Sequence, residues 1–308
     1  MVKASIITAT YNGEEYLRET LDSLLKQSEE RLELLLIDSN STDKTVDIIK
    51  SAQDERVKYY QSENTGSPAG PRNKGLKEAT GQFVGFCDQD DLYYSDKLAK
   101  QITAYEECDQ KAKVGLIITS NDIIDEEGKI IGHNLKPFDG FMDCQAAYEL
   151  LLKGDFITAC SALVPKKVLD EIGLLDESLV GVDDYDLWLR ITEKYGILTI
   201  KEPLCAWRQQ GHSLSANKTK QYIETEKIFT KLNDRTAEIR VGHGKNLLRI
   251  FLSLVLAKDW VKANKYRNLI SKYPQSNKMK IIIKTFDLSK NLSYYQLSCL
   301  KKIGRASL

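Results

Sequence analysis

Apolar and polar positions alternate between two periods along the first 120 residues. Ala4–Thr8 is a short run of β-favouring residues, and Glu14–Gln27 then sets Tyr16, Leu17, Thr20, Leu21, Leu24 and Leu25 on one face at helical spacing. Glu33–Ile37 reads as a second buried strand. A helix over about 43–52 follows, with Ser41 or Thr42 placed to cap it. Val57–Tyr60 predicts a third strand, Arg72–Ala79 a helix, Gln82–Cys87 a fourth strand, Ser95–Cys108 a helix and Val114–Thr119 a fifth strand. Repeated strand–helix units predict an α/β fold with a mostly parallel sheet and helices on both faces. Ligands bind such sheets at the carboxyl ends of the strands. Thr8–Tyr11, Asp38 and Asp88-Gln89-Asp90-Asp91, which follow the first, second and fourth strands, are therefore expected along one edge.

Residues 120–215 are less regular, with turns at Glu127-Gly128 and Asp139-Gly140 and helical patterns at Cys144–Lys153, Lys166–Ile172 and Asp184–Tyr195. Beyond Asn217 the pattern is helical throughout. Its apolar run Leu247–Ala257, broken only by Arg249 and Ser253, is too short to span a bilayer and suits a buried or interfacial helix.

Charge sharpens this division. The 308 residues carry 44 basic and 44 acidic side chains, but residues 216–308 hold 20 Lys/Arg against 6 Asp/Glu, a net of +14, and residues 1–215 hold 24 against 38, a net of −14. A chain of this length accommodates about two domains. The expected division is a domain over 1–215, in two halves at about 1–120 and 121–215, and a basic helical region over 216–308. The six cysteines form no C-x-x-C pair and read as free thiols of a reducing compartment. The N-terminus lacks a secretory signal pattern and no stretch approaches about 18 apolar residues, so a cytoplasmic location is expected.

Three segments carry chemistry. Asp88, Asp90 and Asp91 place three carboxylates within four residues, a repulsion that a hard divalent ion or solvent relieves; the other reading is an acidic turn leading into the next helix. Asn64–Gly75 is a glycine-containing loop in which Arg72 opens a helix, an anion site or a structural turn. It lacks the Lys-Ser/Thr of a P-loop, and no G-x-G-x-x-G follows the first strand. Asp183-Asp184-Tyr185-Asp186 heads the helix containing Trp188. There the acids complement the helix dipole, or one of them serves as a general base.

Four strings in order resemble glycosyltransferase family 2, the inverting nucleotide-sugar transferases of GT-A type fold. They are Ile6-Ile7-Thr8-Ala9-Thr10-Tyr11-Asn12-Gly13, Asp38-Ser39-Asn40-Ser41-Thr42-Asp43, the run from Gly66 through Ala79-Thr80-Gly81 to Phe86–Leu92, and Gly181–Arg190. The last resembles the family's E-D-x-D-L-W-x-R. The resemblance implies that Thr8, Tyr11 and Asp38 hold the base and ribose and that Arg72 contacts the diphosphate. Asp88 and Asp90 would form the D-x-D pair for Mn²⁺ or Mg²⁺, with Gln89 between them on the nucleotide sugar and Asp91 close enough to share the metal. Asp184 would be the base that activates an acceptor hydroxyl for one inverting displacement, while the metal offsets charge on the departing diphosphate.

This chain departs from the family pattern at three places. Ser39 stands where a second Asp is common, and Asp183 stands for Glu. In Trp207–Ser215, which resembles Y-R-x-H-G-x-S-x-S, Gln210 occupies the His position and His212 lies two residues on. Either His212 or water would then supply a third metal or phosphate contact. No Q-x-x-R-W of processive synthases is present, so transfer of one sugar per binding event is expected. The implied donor is a nucleotide sugar, foremost a UDP-sugar, and the implied acceptor a glycan or a lipid-linked glycan. The basic 216–308 region, with interspersed Trp260, Tyr266, Tyr273, Tyr294 and Tyr295, suits an anionic membrane surface or packing on the catalytic domain or a second subunit. No motif supports nucleic-acid binding. The competing functions are a nucleotidyltransferase acting on a sugar phosphate and a catalytically silent carbohydrate-binding scaffold.

Overall fold

Four strands pair in parallel and build one half of the sheet. They are β1 (Ala4–Thr10), β2 (Leu32–Asp38), β3 (Val57–Gln61) and β4 (Phe83–Phe86), in the order β3-β2-β1-β4. All seven residues of β2 are buried because helices cover both faces, which favours a continuous apolar run over strict alternation. Helix α1 (Leu17–Leu25) buries Leu17, Leu21 and Leu24 in one cluster with Ile6 and Leu34. On the opposite face α3 (Ala69–Glu78) packs so closely that a Cβ on Gly75 would stand 2.6 Å from Ile7. Helices α2 (Thr45–Lys50) and α4 (Lys97–Glu107) complete the strand–helix repeats.

The computed structural model describes residues 2–211 and 217–288. These fall into two units, 2–148 with 156–211, and 149–155 with 217–288.

In the first unit the sheet continues with mixed pairing. β6 (Val114–Ile124) runs five residues beyond the expected strand, and β9 (Ala162–Pro165) lies antiparallel between β4 and β6. β10 (Gly196–Arg208) runs parallel to β6. β5 (Leu92–Tyr93) and β8 (Gly140–Met142) pair antiparallel with β10, and β7 (Ile130–Asn134) with β6 across the turn at Gly128. Residues 140–142 and 196–208 are thus strand where no strand was expected. α5 (Cys144–Leu152), α6 (Lys166–Ile172) and α7 (Asp183–Thr192) are the remaining helices of this part of the chain.

Three local expectations are corrected. α1 starts at Leu17 because Asn12 takes φ 47° and the Asn12 and Glu14 N–H groups donate to Ser41 and Asp43 of the loop after β2. Neither Ser41 nor Thr42 caps α2. Ser41 bonds to Asp38 and the Thr42 N–H to Asn12, while Asp43 Oδ1 accepts the Thr45 N–H at 3.0 Å. α3 starts at Ala69, so the Arg72 N–H donates to the Pro68 carbonyl at 3.0 Å and is not a free helix-start donor.

The second unit is helical in its described part, with α8 (Lys218–Leu232), α9 (Ala237–Leu256), α10 (Trp260–Ile270) and α11 (Asn277–Leu288). Thr236 and Asp259 cap α9 and α10 by accepting the N–H groups of Ile239 and Lys262. Leu247, Leu248, Ile250, Phe251, Leu254 and Val255 of the apolar run bury against Ala263, Ile270, Met279 and Ile282. His243, also on α9, is held between Glu226 at 2.6 Å and Asp234 at 2.9 Å. No helix among the described residues is long and apolar enough to cross a membrane. The five described cysteines are free.

Candidate active site

The parallel register of β2, β1 and β4 brings Asp38, Thr10 and the turn after Phe86 to one edge. Thr10 donates to Asp38 Oδ1 at 3.1 Å and the Ser41 N–H to Oδ2 at 3.0 Å, so Asp38 is fixed and almost fully buried. Asn12 Oδ1 accepts the Thr42 N–H at 2.9 Å, and the Gly13 N–H donates to Thr45 Oγ1 at 2.8 Å. These bonds knit the loop after β1 to the loop after β2. They leave the Tyr11 ring 49% exposed at the rim. Thr8 does not reach this surface. It lies wholly inside the sheet, and its hydroxyl has no partner among the described residues.

Each side chain of the acidic turn is held from a different direction. Asp88 accepts from Arg72 Nη2 at 2.6 Å. Gln89 bonds both ways to the Tyr11 backbone, at 2.9 and 3.1 Å. Asp90 Oδ2 accepts from Gln210 Nε2 at 2.6 Å, and Asp91 Oδ1 accepts the Arg208 N–H at 3.0 Å. Burial, then the neighbouring Asp88 charge, push the Asp90 pKa up to about 7. Asp91, expected beside its neighbours as a metal carboxylate, is instead turned inward and 2% exposed, where burial and the adjacent carboxylates drive its pKa well above the usual range. Gln89, expected on the nucleotide sugar, has both amide atoms committed to Tyr11. His212 lies outside the described residues.

Arg72, expected on the diphosphate, is instead 4% exposed and joins this turn to α7. Its guanidinium reaches Asp88 with one nitrogen and Asp183 Oδ2 with the other at 2.9 Å, and the Phe86 ring lies 5.8 Å from it. Burial disfavours the Arg72 charge, but Asp88, Asp183 and Asp184 outweigh it and hold its pKa above the ordinary value. Asp183 Oδ1 is buried without a partner among the described residues, while Asp184 is half-buried and accepts its own neighbour's N–H, from Tyr185, at 2.8 Å. Asn73 anchors the approach to α7 by bonding the backbone of Leu175 in both directions at 3.0 and 2.9 Å.

Arg208, to which its string assigns no role, braces the acidic turn against α1 and the turn after β6. Register shifts around Pro203, which has no N–H to give the ladder, re-aim the end of β10. Arg208 Nε then donates to the Asp90 carbonyl at 3.0 Å, Nη2 to Glu19 at 2.6 Å and Nη1 to the carbonyls of Asp125 and Glu126 at 3.1 Å each. Its position in the Trp207–Ser215 string was the signal available.

Among the described residues no cluster of three or more His, Cys, Asp or Glu side chains has a metal-holding arrangement. Asp88, whose side chain is 41% exposed, and Asp90 nevertheless fit Mg²⁺ or Mn²⁺. Such ions use one or two protein carboxylates and complete their shells with phosphate and water oxygens. Burial, and after it the Asp88 charge, raise the Asp90 pKa, and a cation between the two carboxylates would offset that repulsion.

The chain is 32% identical over 236 residues to the Escherichia coli UDP-Glc:alpha-D-GlcNAc-diphosphoundecaprenol beta-1,3-glucosyltransferase WfaP, covering 75% of this chain and 87% of that protein. It is 29% identical over 234 residues to Bacillus subtilis TuaG, named for teichuronic acid biosynthesis, covering 74% and 87%. Uncharacterized glycosyltransferases of Rickettsia felis, Rickettsia bellii and Rickettsia typhi match at 32–33% identity, but this chain spans only 31%, 27% and 60% of their lengths. Among solved structures, S. aureus TarS 1-349 in complex with UDP-GlcNAc aligns with a TM-score of 0.71 at 17% identity, over 99% of this chain and 91% of that one. The Pyrobaculum calidifontis mannosyltransferase PcManGT, with GDP-Man and Mn²⁺, aligns with a TM-score of 0.61 at 17% identity, over 99% and 85%. These structural likenesses establish the GT-A type fold. Residues 5–173 match the family description Glycosyl transferase family 2, and the chain belongs to that family.

Proposed function

We propose that the chain is a metal-dependent inverting glycosyltransferase that moves one sugar from a UDP-sugar to a hydroxyl of a glycan or lipid-linked acceptor in surface-glycan synthesis. The observation that carries this reading is Arg72, which ties the exposed Asp88 carboxylate to the α7 start bearing Asp184, beside the Tyr11–Asp38 rim. Asp38 Oδ2 accepts one bond, from the Ser41 N–H, and keeps an acceptor position for the ring N–H of a base. Tyr11 offers its ring as a stacking surface. Asp88 and Asp90 would hold Mn²⁺ or Mg²⁺, which stabilises negative charge on the departing diphosphate.

Asp184 takes the proton of the acceptor hydroxyl. The oxygen attacks the anomeric carbon from the face opposite the diphosphate, the carbon–diphosphate bond breaks, and the linkage forms with inverted configuration. Arg72, fixed by two carboxylates, keeps base and leaving-group site in register. The names of WfaP and TuaG support an acceptor in surface-glycan synthesis, and the UDP-GlcNAc complex of TarS supports a UDP-sugar donor.

The catalytic domain in this reading is 1–215, and the basic helical region 216–308 rests on anionic lipid. Among its described residues Lys258, Lys262 and Lys265 are exposed, with Val261 85% exposed beside them.

A panel of nucleotide sugars incubated with Mn²⁺ tests the reading. Release of a nucleoside diphosphate from one donor is expected. Release of pyrophosphate from a nucleoside triphosphate instead, or no turnover and no stabilisation by any nucleoside diphosphate with metal, overturns it.

A further inference from the structure

Gln89 stands between Asp88 and Asp90, yet its amide is committed to another loop. Oε1 accepts the Tyr11 N–H at 2.9 Å, and Nε2 donates to the Tyr11 carbonyl at 3.1 Å. The Gln89 main-chain carbonyl is itself held by Thr20 Oγ1 of α1 at 2.9 Å. Gly13 makes room for this arrangement, since a Cβ there would lie 2.4 Å from Gln89 Oε1. The register of β1 with β4 ends at Ile7 and Phe86. Beyond that point the Gln89 side chain takes the place of a strand partner and continues the pairing with two bonds to one residue.

We propose that Gln89 is a positioning residue that couples nucleoside contact at Tyr11 to metal contact at Asp88 and Asp90. The inference rests on the nucleotide and metal reading above. A displacement of the Tyr11 backbone, as its exposed ring takes up a base, moves both bonds to Gln89. The Gln89 main chain then carries the carboxylates on either side of it. The link is reciprocal, so filling the metal site also fixes the Tyr11 loop.

A metal that touches a diphosphate couples to it directly, whatever Gln89 does. Uridine, which has no phosphate, isolates the route through the protein. Calorimetric titration of the full chain with uridine, with and without Mn²⁺, is expected to show tighter binding with the metal by about fivefold or more, the lower end of typical coupling between sites. Manganese titrations followed by electron paramagnetic resonance, with and without uridine, should give the same factor. In Gln89→Ala each ligand still binds alone but the factor falls to about one. Gln89→Glu, which can accept the Tyr11 N–H but cannot donate to the carbonyl, keeps part of it. If the alanine variant does not fold, the glutamate variant carries the comparison. Uridine binding that ignores Mn²⁺ in the unsubstituted chain, or an undiminished factor in the folded variants, overturns the inference. UDP binding measured alongside separates the two failures, because loss of the coupling with UDP binding intact leaves the functional reading standing.

Discussion

Arg72 Nη1 donates to Asp183 Oδ2 at 2.9 Å, with the two side chains only 5% and 1% exposed. Burying two charges is costly, and removing one of them leaves the other without a partner in a poorly solvated place. Asp183→Ala should therefore destabilise the chain by about 3–5 kcal/mol, read as a lowered midpoint in urea unfolding. A loss below about 1 kcal/mol would show that Asp88 alone satisfies Arg72.

Asp184→Asn keeps the shape of the α7 start and removes the proton acceptor. Transfer should fall by at least about 10²-fold, the ordinary contribution of a positioned base. UDP affinity in Mn²⁺ should stay close to that of the unsubstituted chain. Retained turnover would move the base elsewhere on the rim.

His243 makes the helical unit sensitive to pH. Burial disfavours the imidazolium, but its bonds and charge interactions with Glu226 and Asp234 outweigh that and raise the pKa above 6.5. Phe229 stacks on the ring at 5.4 Å, and Tyr273, whose own pKa is raised to about 12, stays neutral beside it. The folded state thus holds the proton more tightly than the unfolded one. The added stability is complete below pH 6.5 and is lost as pH rises through the folded-state pKa. Amide-exchange protection across α9 should fall over that interval, and His243→Gln should flatten the profile.

Val261 opens the exposed side of α10 next to Lys258 and Lys262. If this side meets lipid, Val261→Asp should weaken binding of the full chain to phosphatidylserine vesicles by about tenfold, the value of one buried valine side chain. Equal sedimentation with the vesicles would remove the membrane reading and favour packing within the protein or against a second subunit.

The parts of the fold that were legible are those whose burial is written locally. β1, β2 and β4 are apolar runs covered on both faces, and α6 falls at Lys166–Ile172 as its pattern predicts. β9 and β10 were not legible. The first is four residues ending in Pro165, and the second is interrupted by Lys201-Glu202-Pro203, so neither shows a clean period of two.

The site divides in the same way. Asp38, Arg72, Asp88, Asp90 and Asp184 stand out through their strings. Nothing local tells that Asp91 turns inward, that Thr8 stays inside the sheet, or that Arg208 reaches the acidic turn from 117 residues away. Those facts depend on strand pairing across the sheet, and the family match, which ends at residue 173, stops short of α7 and β10.

β9 has a consequence for how the chain is made. It supplies the antiparallel neighbour of both β4 and β6, so the strand leading into the acidic turn has an open edge until residues 162–165 have been synthesised. β6 in turn waits for β10, which ends at Arg208. A fragment ending near residue 120 would therefore expose an unpaired apolar strand, an invitation to aggregate. Such long-range pairing also slows folding. Residues 1–120 taken alone therefore lack the strand that joins β4 to β6.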